Sequence, residues 1–400
     1  MASGLISISE ARERILEALT PLGDEDVQIE HALARVLAQD LLSAGDVPPF
    51  PSSAMDGYAV IAADGVAPRS LTGESRAGAP ARLHLGAGEA IRISTGAAVP
   101  EGATAVVPQE NVDAESSTIV LRSPVAPGEH IRHAGEDMRA GTTVLSAGIR
   151  LGSVELGAAV AAGQASVSAV QRPRVSVLCT GDELRAPGDP LGPGEIHNSN
   201  APMLSALAAR AGALTAEAQR LPDDLEATKS GLAVALERSD LVLVTGGVSV
   251  GPHDHVKPAL AALGVQEIFW GVALQPGKPT WFGTRGEKLV FGLPGNPVSA
   301  VVTFSLFALP ALAAMQRERR ARKLEAEATL GTGVRQNAGR EQAVRVRLER
   351  DRGRTVAIPN GAQGSHILNS LLGADALAMI PVGEGELAAG SPVALEELAF

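Results

Sequence analysis

Cysteine is nearly absent. The 400 residues hold one, Cys179, inside the apolar run 175–179. That excludes a disulfide framework and a metal site built from several cysteines. A lone cysteine in such a run reads as a small buried side chain. Aromatic residues make up only 2% of the chain, too few for a protein that grips nucleic acid by stacking. Positive charge is also in deficit. There are 34 Lys and Arg against 45 Asp and Glu, a net charge of −11, which argues against a general polyanion binder. A small phosphorylated ligand stays compatible, because local charge decides its binding. MASGLISISE has no basic segment followed by an apolar core, so no secretory signal is read. No apolar run is expected to reach the ~18–20 residues of a membrane span. The longest, 298–315, contains Thr303, Ser305 and Pro310 and reads as a buried helix. The expectation is a cytoplasmic protein with neither nucleic acid nor membrane as partner.

What is present is ordinary core-forming material, 45% hydrophobic with 20% charged residues, over a length that suits roughly two to four domains. Ser7-Ile8-Ser9-Glu10 matches a capping box, and apolar residues then follow at helical spacing. A second helix is expected at 30–38. Residues 46–51, DVPPFP, are held extended by proline. Short β-prone runs at 58–61, 90–94, 105–108 and 118–121 mark a β-rich unit, and an alanine-rich helix follows at 151–162. Residues 174–315 alternate strand and helix, the pattern of an open, mostly parallel sheet. Helix 200–211 has Asn200 as its expected cap, and 213–219 is the next expected strand. The charge run 317–323 reads as a solvated linker. Beyond it the chain turns β-rich, with strands expected at 343–348 and 376–380.

Within the alternating region, LVLVTGGVSVGPHDHVK at 241–257 reads as strand, glycine turn, polar loop and helix. That layout puts a ligand at the carboxyl end of a parallel sheet. Companion loops are Thr180–Glu183, Asp223-Asp224 and Leu293–Pro297. In the last, Asn296 can cap and Pro297 suits the first helical position, so the free N–H groups can face an anion. The carboxylates Asp182, Glu183, Asp223 and Asp254 share these loops. A phosphate ~4 Å from a bare carboxylate costs on the order of 4 kcal/mol at an effective dielectric of 20. A site holding both therefore calls for a divalent cation, and Mg²⁺ takes oxygen ligands and bridges to phosphate. His253 and His255 suggest zinc, but no cysteine or companion histidine motif supports it. There is no Walker A loop, no dinucleotide GxGxxG opening a helix and no G-x-S-x-G elbow.

The motifs together resemble one family. SSAMDGYAV at 52–60, STGAAVPEGATAVV at 94–107, GED at 135–137, TGDEL at 180–184 and HNSN at 197–200 are similar to the molybdopterin molybdenumtransferases, MoeA, and the E domain of gephyrin. TGGVSVG at 245–251, PGKP at 276–279, LPGNPVSAVV at 293–302 and QGSH at 363–366 complete the set in family order. The resemblance implies an α/β multidomain fold with an open, mostly parallel, MogA-like sheet domain at 173–322. An elongated linker domain would come from segments 1–45 and 138–172, a β-rich domain from 46–137 and a C-terminal β-domain from 323–400. It implies an enzyme that inserts molybdenum from molybdate into adenylylated molybdopterin with Mg²⁺, releasing AMP. It also implies a homodimer with a site shared between subunits, and contact with a MogA-type adenylyltransferase and with recipient molybdoenzymes.

Carried over by motif, the resemblance makes Asp56, Thr95, Asp137, Glu183, Asp223 and Asp254 catalytic, with Glu183 and Asp254 on Mg²⁺. Thr180, Gly181, Asp182, Ser199, Asn200, Gly246, Gly247, Ser249, Gly251, Pro294, Gly295, Asn296 and Pro297 would bind the molybdopterin substrate. Ser249, Lys278, Ser299, Arg340, Arg345 and Ser365 would surround molybdate. Gln275 stands where many relatives carry lysine, so one positive charge near that anion is missing. Two other readings share these features: the adenylyltransferase of the preceding step, and a non-catalytic pterin-binding scaffold. ATP consumption without molybdate would favour the first, and tolerance of Glu183→Ala or Asp254→Ala the second.

Overall fold

The central sheet is built from β1 (Arg174–Thr180), β2 (Leu214–Thr215), β3 (Gln219–Leu221), β4 (Leu241–Thr245), β5 (Gln266–Trp270), β6 (Trp281–Arg285) and β7 (Lys288–Leu293). The computed structural model describes residues 4–216, 218–248, 254–319 and 327–400. The strand order is β2-β1-β4-β7-β6-β5, with β3 also on β1. Pairing is parallel from β2 and β3 through β1 and β4 to β7. It is antiparallel among β7, β6 and β5. The expected single strand at 213–219 is therefore two short pieces.

β4 reads Leu-Val-Leu-Val-Thr and is buried at all five positions, as expected of a parallel strand covered on both faces. Leu241 and Leu243 share a core with Leu204 and Leu207 of α1 (Asn200–Arg210). Val242 and Val244 pack on the other face, with Leu232 and Leu236 of α2 (Leu225–Arg238) and Leu260 of α3 (Val256–Ala262). The helix α4 (Pro297–Met315) joins the α1 face. It runs 19 residues at mean hydropathy 2.0, and 89% of its apolar window is buried within the protein. By length and composition it could span a bilayer, contrary to expectation, but its apolar surface is already covered by its own chain. Residues Phe304–Ala308 form a π-helical turn within it, and the Arg12 Nε–H donates to the Leu306 carbonyl there at 2.9 Å.

The first helix, Ile8–Glu17, was expected with the linker segments. Its apolar residues Ile8, Ala11 and Ile15 enter the sheet domain's core. Ser7 caps it by accepting the Glu10 N–H, but the Glu10 carboxylate pairs with Arg14 at 2.5 Å rather than reaching back. The helix expected at 30–38 is only a 3₁₀ turn, Ile29–His31. Val36 and Leu37 are drawn into β-bridges with Arg150 and Ala169, so tertiary pairing overrides the local helical spacing. Asp24–Gln28 pairs with Ser166–Val170 and Leu41–Leu42 with Thr143–Leu145, joining two distant stretches into one unit. In the charge run, Arg317 pairs with Asp24 and Glu318 with Arg150; its remainder, 320–323, lies outside the described residues.

Two further sheets flank this frame. One orders Ala105–Pro108, Gly57–Val60, Glu89–Ile93, Arg69–Ser75, Thr118–Leu121 and Val112–Ala114. Arg69–Ser75, RSLTGES, escaped the sequence reading because it has no apolar run. The C-terminal sheet closes on itself through Glu341–Asp351 and Ala376–Ile380. It also takes Leu274–Gln275 of the sheet region as a parallel strand.

Candidate functional site

The chain leaves β1 through α1 toward β2 and β3, then crosses back through α2 to β4 on the other side of β1. The winding reverses between β1 and β4, which is where an open α/β sheet leaves a ligand crevice at its carboxyl edge. A cleft of about 690 Å³ lies there. Three chain segments form its floor: Thr180 at the end of β1, Thr245 to Val248 at the end of β4, and Pro294 to Pro297 after β7.

A buried polar knot holds these segments together. The Thr245 hydroxyl donates to the Pro294 carbonyl at 3.0 Å. The Asn200 Nδ2 group donates to Thr245 Oγ1 at 3.0 Å and to the Gly295 carbonyl at 2.7 Å. Gly246 and Gly247 have φ of 88° and 63°. A Cβ on Gly246 would sit 2.6 Å from the Thr180 carbonyl oxygen. Only glycine allows both this backbone and this approach. Asn200 is thus a tie between strands rather than the expected cap. The N-cap position is Ser199, whose side chain makes no cap bond, and Asn198 just before it accepts the Ala201 N–H through Oδ1 at 3.1 Å. Asn296 is likewise redirected: its Nδ2 donates to Ser365 Oγ at 2.9 Å, and the Val298 N–H reaches the Ser365 carbonyl at 3.2 Å. The loop from the C-terminal sheet thereby closes one side of the cleft, with His366 and Leu368 on the wall.

Two side-chain acceptors on the floor have no partner among the described residues, Thr180 Oγ1 and Asn200 Oδ1. Both residues are 8% exposed. An unpartnered buried polar atom costs about 1–3 kcal/mol, which a polar ligand would relieve. Cys179 also touches the cleft, but burial pushes its thiol up to about 11, so it stays protonated and inert at neutral pH.

Of the expected site residues, Thr180, Glu183, Ser199, Asn200, Gly246, Gly247, Pro294, Gly295, Asn296 and Pro297 line the cleft. Gly181 and Asp182 lie between the lining residues Thr180 and Glu183 but, like Asp223, do not line the cleft themselves. Asp182 and Asp223 each accept the other's backbone N–H, at 3.3 and 3.2 Å, locking two loops together. Asp254 lies half-buried just before α3. Ser299 is buried in the first turn of α4, and Lys278 is exposed beside Pro279, which lines the cleft. Arg340 is half-buried on a loop. Arg345 is not on the cleft wall. It is 1% exposed, donates to Ser370 Oγ at 3.2 Å and to the Gly364 carbonyl at 3.4 Å, and braces the Ser365 loop from behind. Burial lowers its guanidinium to about 10. Ser249 and Gly251 lie outside the described residues, as does His253.

Asp56, Thr95 and Asp137 do not join this cleft. Asp56 Oδ1 accepts the Thr95 N–H at 2.7 Å. Asp137 lines a second cleft of about 590 Å³ with Gly96, Arg132 and Phe50. The sequence reading missed several cleft residues: His197, Asn198, Leu184, Ile196, His366 and Leu368. The two histidines and Asn198 sit inside motifs it quoted, HNSN and QGSH, which was the available signal. It also missed Arg185 and Arg220, which donate to the Asp182 and Leu184 carbonyls at 2.8 Å and stiffen the acidic loop. Gln275 Oε1 accepts from Asn337 at 2.6 Å, tying PGKP to the loop that precedes Arg340.

Comparison with known proteins agrees along the chain. Residues 6–163 match the MoeA N-terminal region (domain I and II), 176–314 a probable molybdopterin binding domain, and 327–398 the MoeA C-terminal region (domain IV). The chain is 34% identical to a molybdopterin molybdenumtransferase of Haemophilus influenzae, over 98% of each chain. It is 36% identical to molybdopterin molybdenumtransferase 2 of Mycobacterium tuberculosis, over 98% of this chain and 99% of the other. It superposes on the crystal structure of a molybdopterin biosynthesis MoeA protein from Pyrococcus horikoshii with TM-score 0.83 and 30% identity, over 98% of this chain and 100% of that one. The chain belongs to the MoeA family, the molybdopterin molybdenumtransferases.

Proposed function

We propose that the enzyme acts in molybdenum cofactor biosynthesis by inserting molybdenum from molybdate into adenylylated molybdopterin, releasing AMP. The observation that carries this reading is the switch-point cleft. Its glycine turn lets the backbone approach a phosphate closely, whereas at the start of α4 the Val298 and Ala300 N–H groups are already held by the Ser365 and Asn296 carbonyls. Its orphaned Asn200 Oδ1 offers an acceptor to ring N–H groups of the substrate. The nearby carboxylates would repel that phosphate on their own.

Mg²⁺ fits this donor set. It is bound through one or two carboxylates plus substrate phosphate rather than through an all-protein cage. The described residues contain no group of three or more His, Cys, Asp or Glu placed to hold a metal. Glu183 and Asp254 would hold the ion, which neutralises charge on the scissile phosphate link. Glu183 is exposed at the cleft, within reach of solvent. The Asp182–Asp223 exchange keeps that loop in place. Lys278 and Ser365 adjoin the lining residues Pro279 and His366 and, with Arg340 and Ser299, would supply the donors a tetrahedral dianion requires. Arg345 serves by holding the Ser365 loop.

The protein works as a homodimer in this reading. Asp56, Thr95 and Asp137 lie away from the first cleft, so they would act across the interface on the partner's substrate. The single unpaired Cys179 suits a reducing cytoplasm. Purified protein with Mg²⁺ and adenylylated molybdopterin is expected to release AMP only when molybdate is supplied. Release that ignores molybdate, or none at all, would sink the reading.

A further inference from the structure

Beside the cleft, four side chains form a chain of contacts that no step above uses. The Trp270 indole N–H donates to the Val248 carbonyl at 3.1 Å. The Lys257 ammonium lies 4.5 Å from the centre of the Trp270 ring and 3.7 Å from Glu267 Oε2. The Trp281 indole N–H donates to that same Glu267 oxygen at 2.6 Å. Val248 lines the cleft directly after Gly246 and Gly247.

The turn calls for such a brace. Its two glycines have φ values that most residues avoid, and glycine carries the largest conformational entropy in the open state. The Thr245 hydroxyl fixes its entry. Among the described residues, a side-chain donor at its exit is the indole of Trp270, at the end of the edge strand β5. Trp270 in turn has its ring covered by Lys257 from α3, a cation over an aromatic face. The ring is therefore clamped between β5 and α3, with its single N–H aimed at the turn.

We infer that Trp270 is a positioning residue: its indole N–H presets the Gly246–Val248 turn in the shape that receives the substrate's phosphate. This deepens the proposed function and rests on it for the choice of substrate. The N–H acts through the backbone and makes no contact with reacting atoms, so its loss should weaken substrate capture more than turnover.

The matched pair Trp270→Phe and Trp281→Phe tests this. Each change removes one indole N–H from the same cluster and keeps an aromatic ring, but only Trp270 reaches the turn. Two readouts are taken on the full-length protein. The first is hydrogen–deuterium exchange at the amides of Gly246, Gly247 and Val248, resolved from overlapping peptides. Exchange there is expected to rise several-fold in Trp270→Phe and to stay at the wild-type rate in Trp281→Phe, with the α2 peptide as an internal folding control. The second is molybdate-dependent AMP release. KM for adenylylated molybdopterin is expected to rise at least fivefold in Trp270→Phe with kcat within twofold, and neither constant to move in Trp281→Phe. Equal effects from the two variants, or unchanged exchange in Trp270→Phe, would overturn the assignment. If the wild type releases no AMP, the proposed substrate falls, and the exchange readout still decides the role of Trp270.

Discussion

Thr245 shows how much one hydroxyl can organise. It accepts from Asn200 and donates to Pro294, joining the ends of β4, α1 and β7 at 2% exposure. Thr245→Val keeps the shape and strands both partners. The expected loss is about 1–3 kcal/mol of unfolding free energy, read as a shift of the urea midpoint at unchanged slope. Gly246→Ala adds the left-handed penalty of about 1–2 kcal/mol to a 2.6 Å clash with Thr180. It should abolish AMP release while circular dichroism stays native. Cys179 gives a pH prediction. Its thiol ionises near 9 when unfolded and about 11 when folded, so the unfolded chain loses its proton first. The stability it contributes is complete below pH 9 and is lost as pH rises to about 11. Melting temperature should fall across that window, and Cys179→Ala should flatten that part of the fall. The sequence showed the glycines and the threonine by position but not their partners. It named Asn200 and Asn296 as caps, since Asn before a helix usually caps. In the fold both side chains are recruited across loops, a choice set by contacts some 45 to 95 residues away.

At the scale of elements, what was legible followed burial pattern. β4 is apolar at four successive positions and α4 is mostly apolar, and both were read within a residue or two. What failed were segments whose structure is decided by a partner. Residues 30–38 have helical spacing but lie beside strands from 143–170 that claim Val36 and Leu37. Arg69–Ser75 has almost no apolar signature and is a strand because Glu89–Ile93 and Thr118–Leu121 pair with it. The first helix falls within the N-terminal family match, and its apolar face packs on the sheet domain. Its three buried side chains make it part of the sheet domain's wall, so Ile15→Ala should cost about 2–4 kcal/mol. Urea denaturation followed by tryptophan emission measures it directly, since Trp270 and Trp281 report on that sheet.

For the whole molecule, the order of motifs along the chain gave the family, and the fold explains why one reading of them was insufficient. Ten of the expected residues share one cleft, whereas Asp56, Thr95 and Asp137 stand elsewhere. If a second subunit unites them, Asp137→Asn and Glu183→Ala should complement. Each homodimer is inactive, but a mixed dimer holds one intact site. After subunit exchange an equimolar mixture should recover about a quarter of wild-type activity, by statistics for a two-fold dimer with shared sites. A site confined to one chain would recover none. The sequence has only two tryptophans, and both belong to the cluster behind the glycine turn. Trp281 is 2% exposed and Trp270 is half-buried, so they should emit at different wavelengths. The enzyme therefore carries its own optical gauge of the cleft, and the redder component is the one that ligand binding should change.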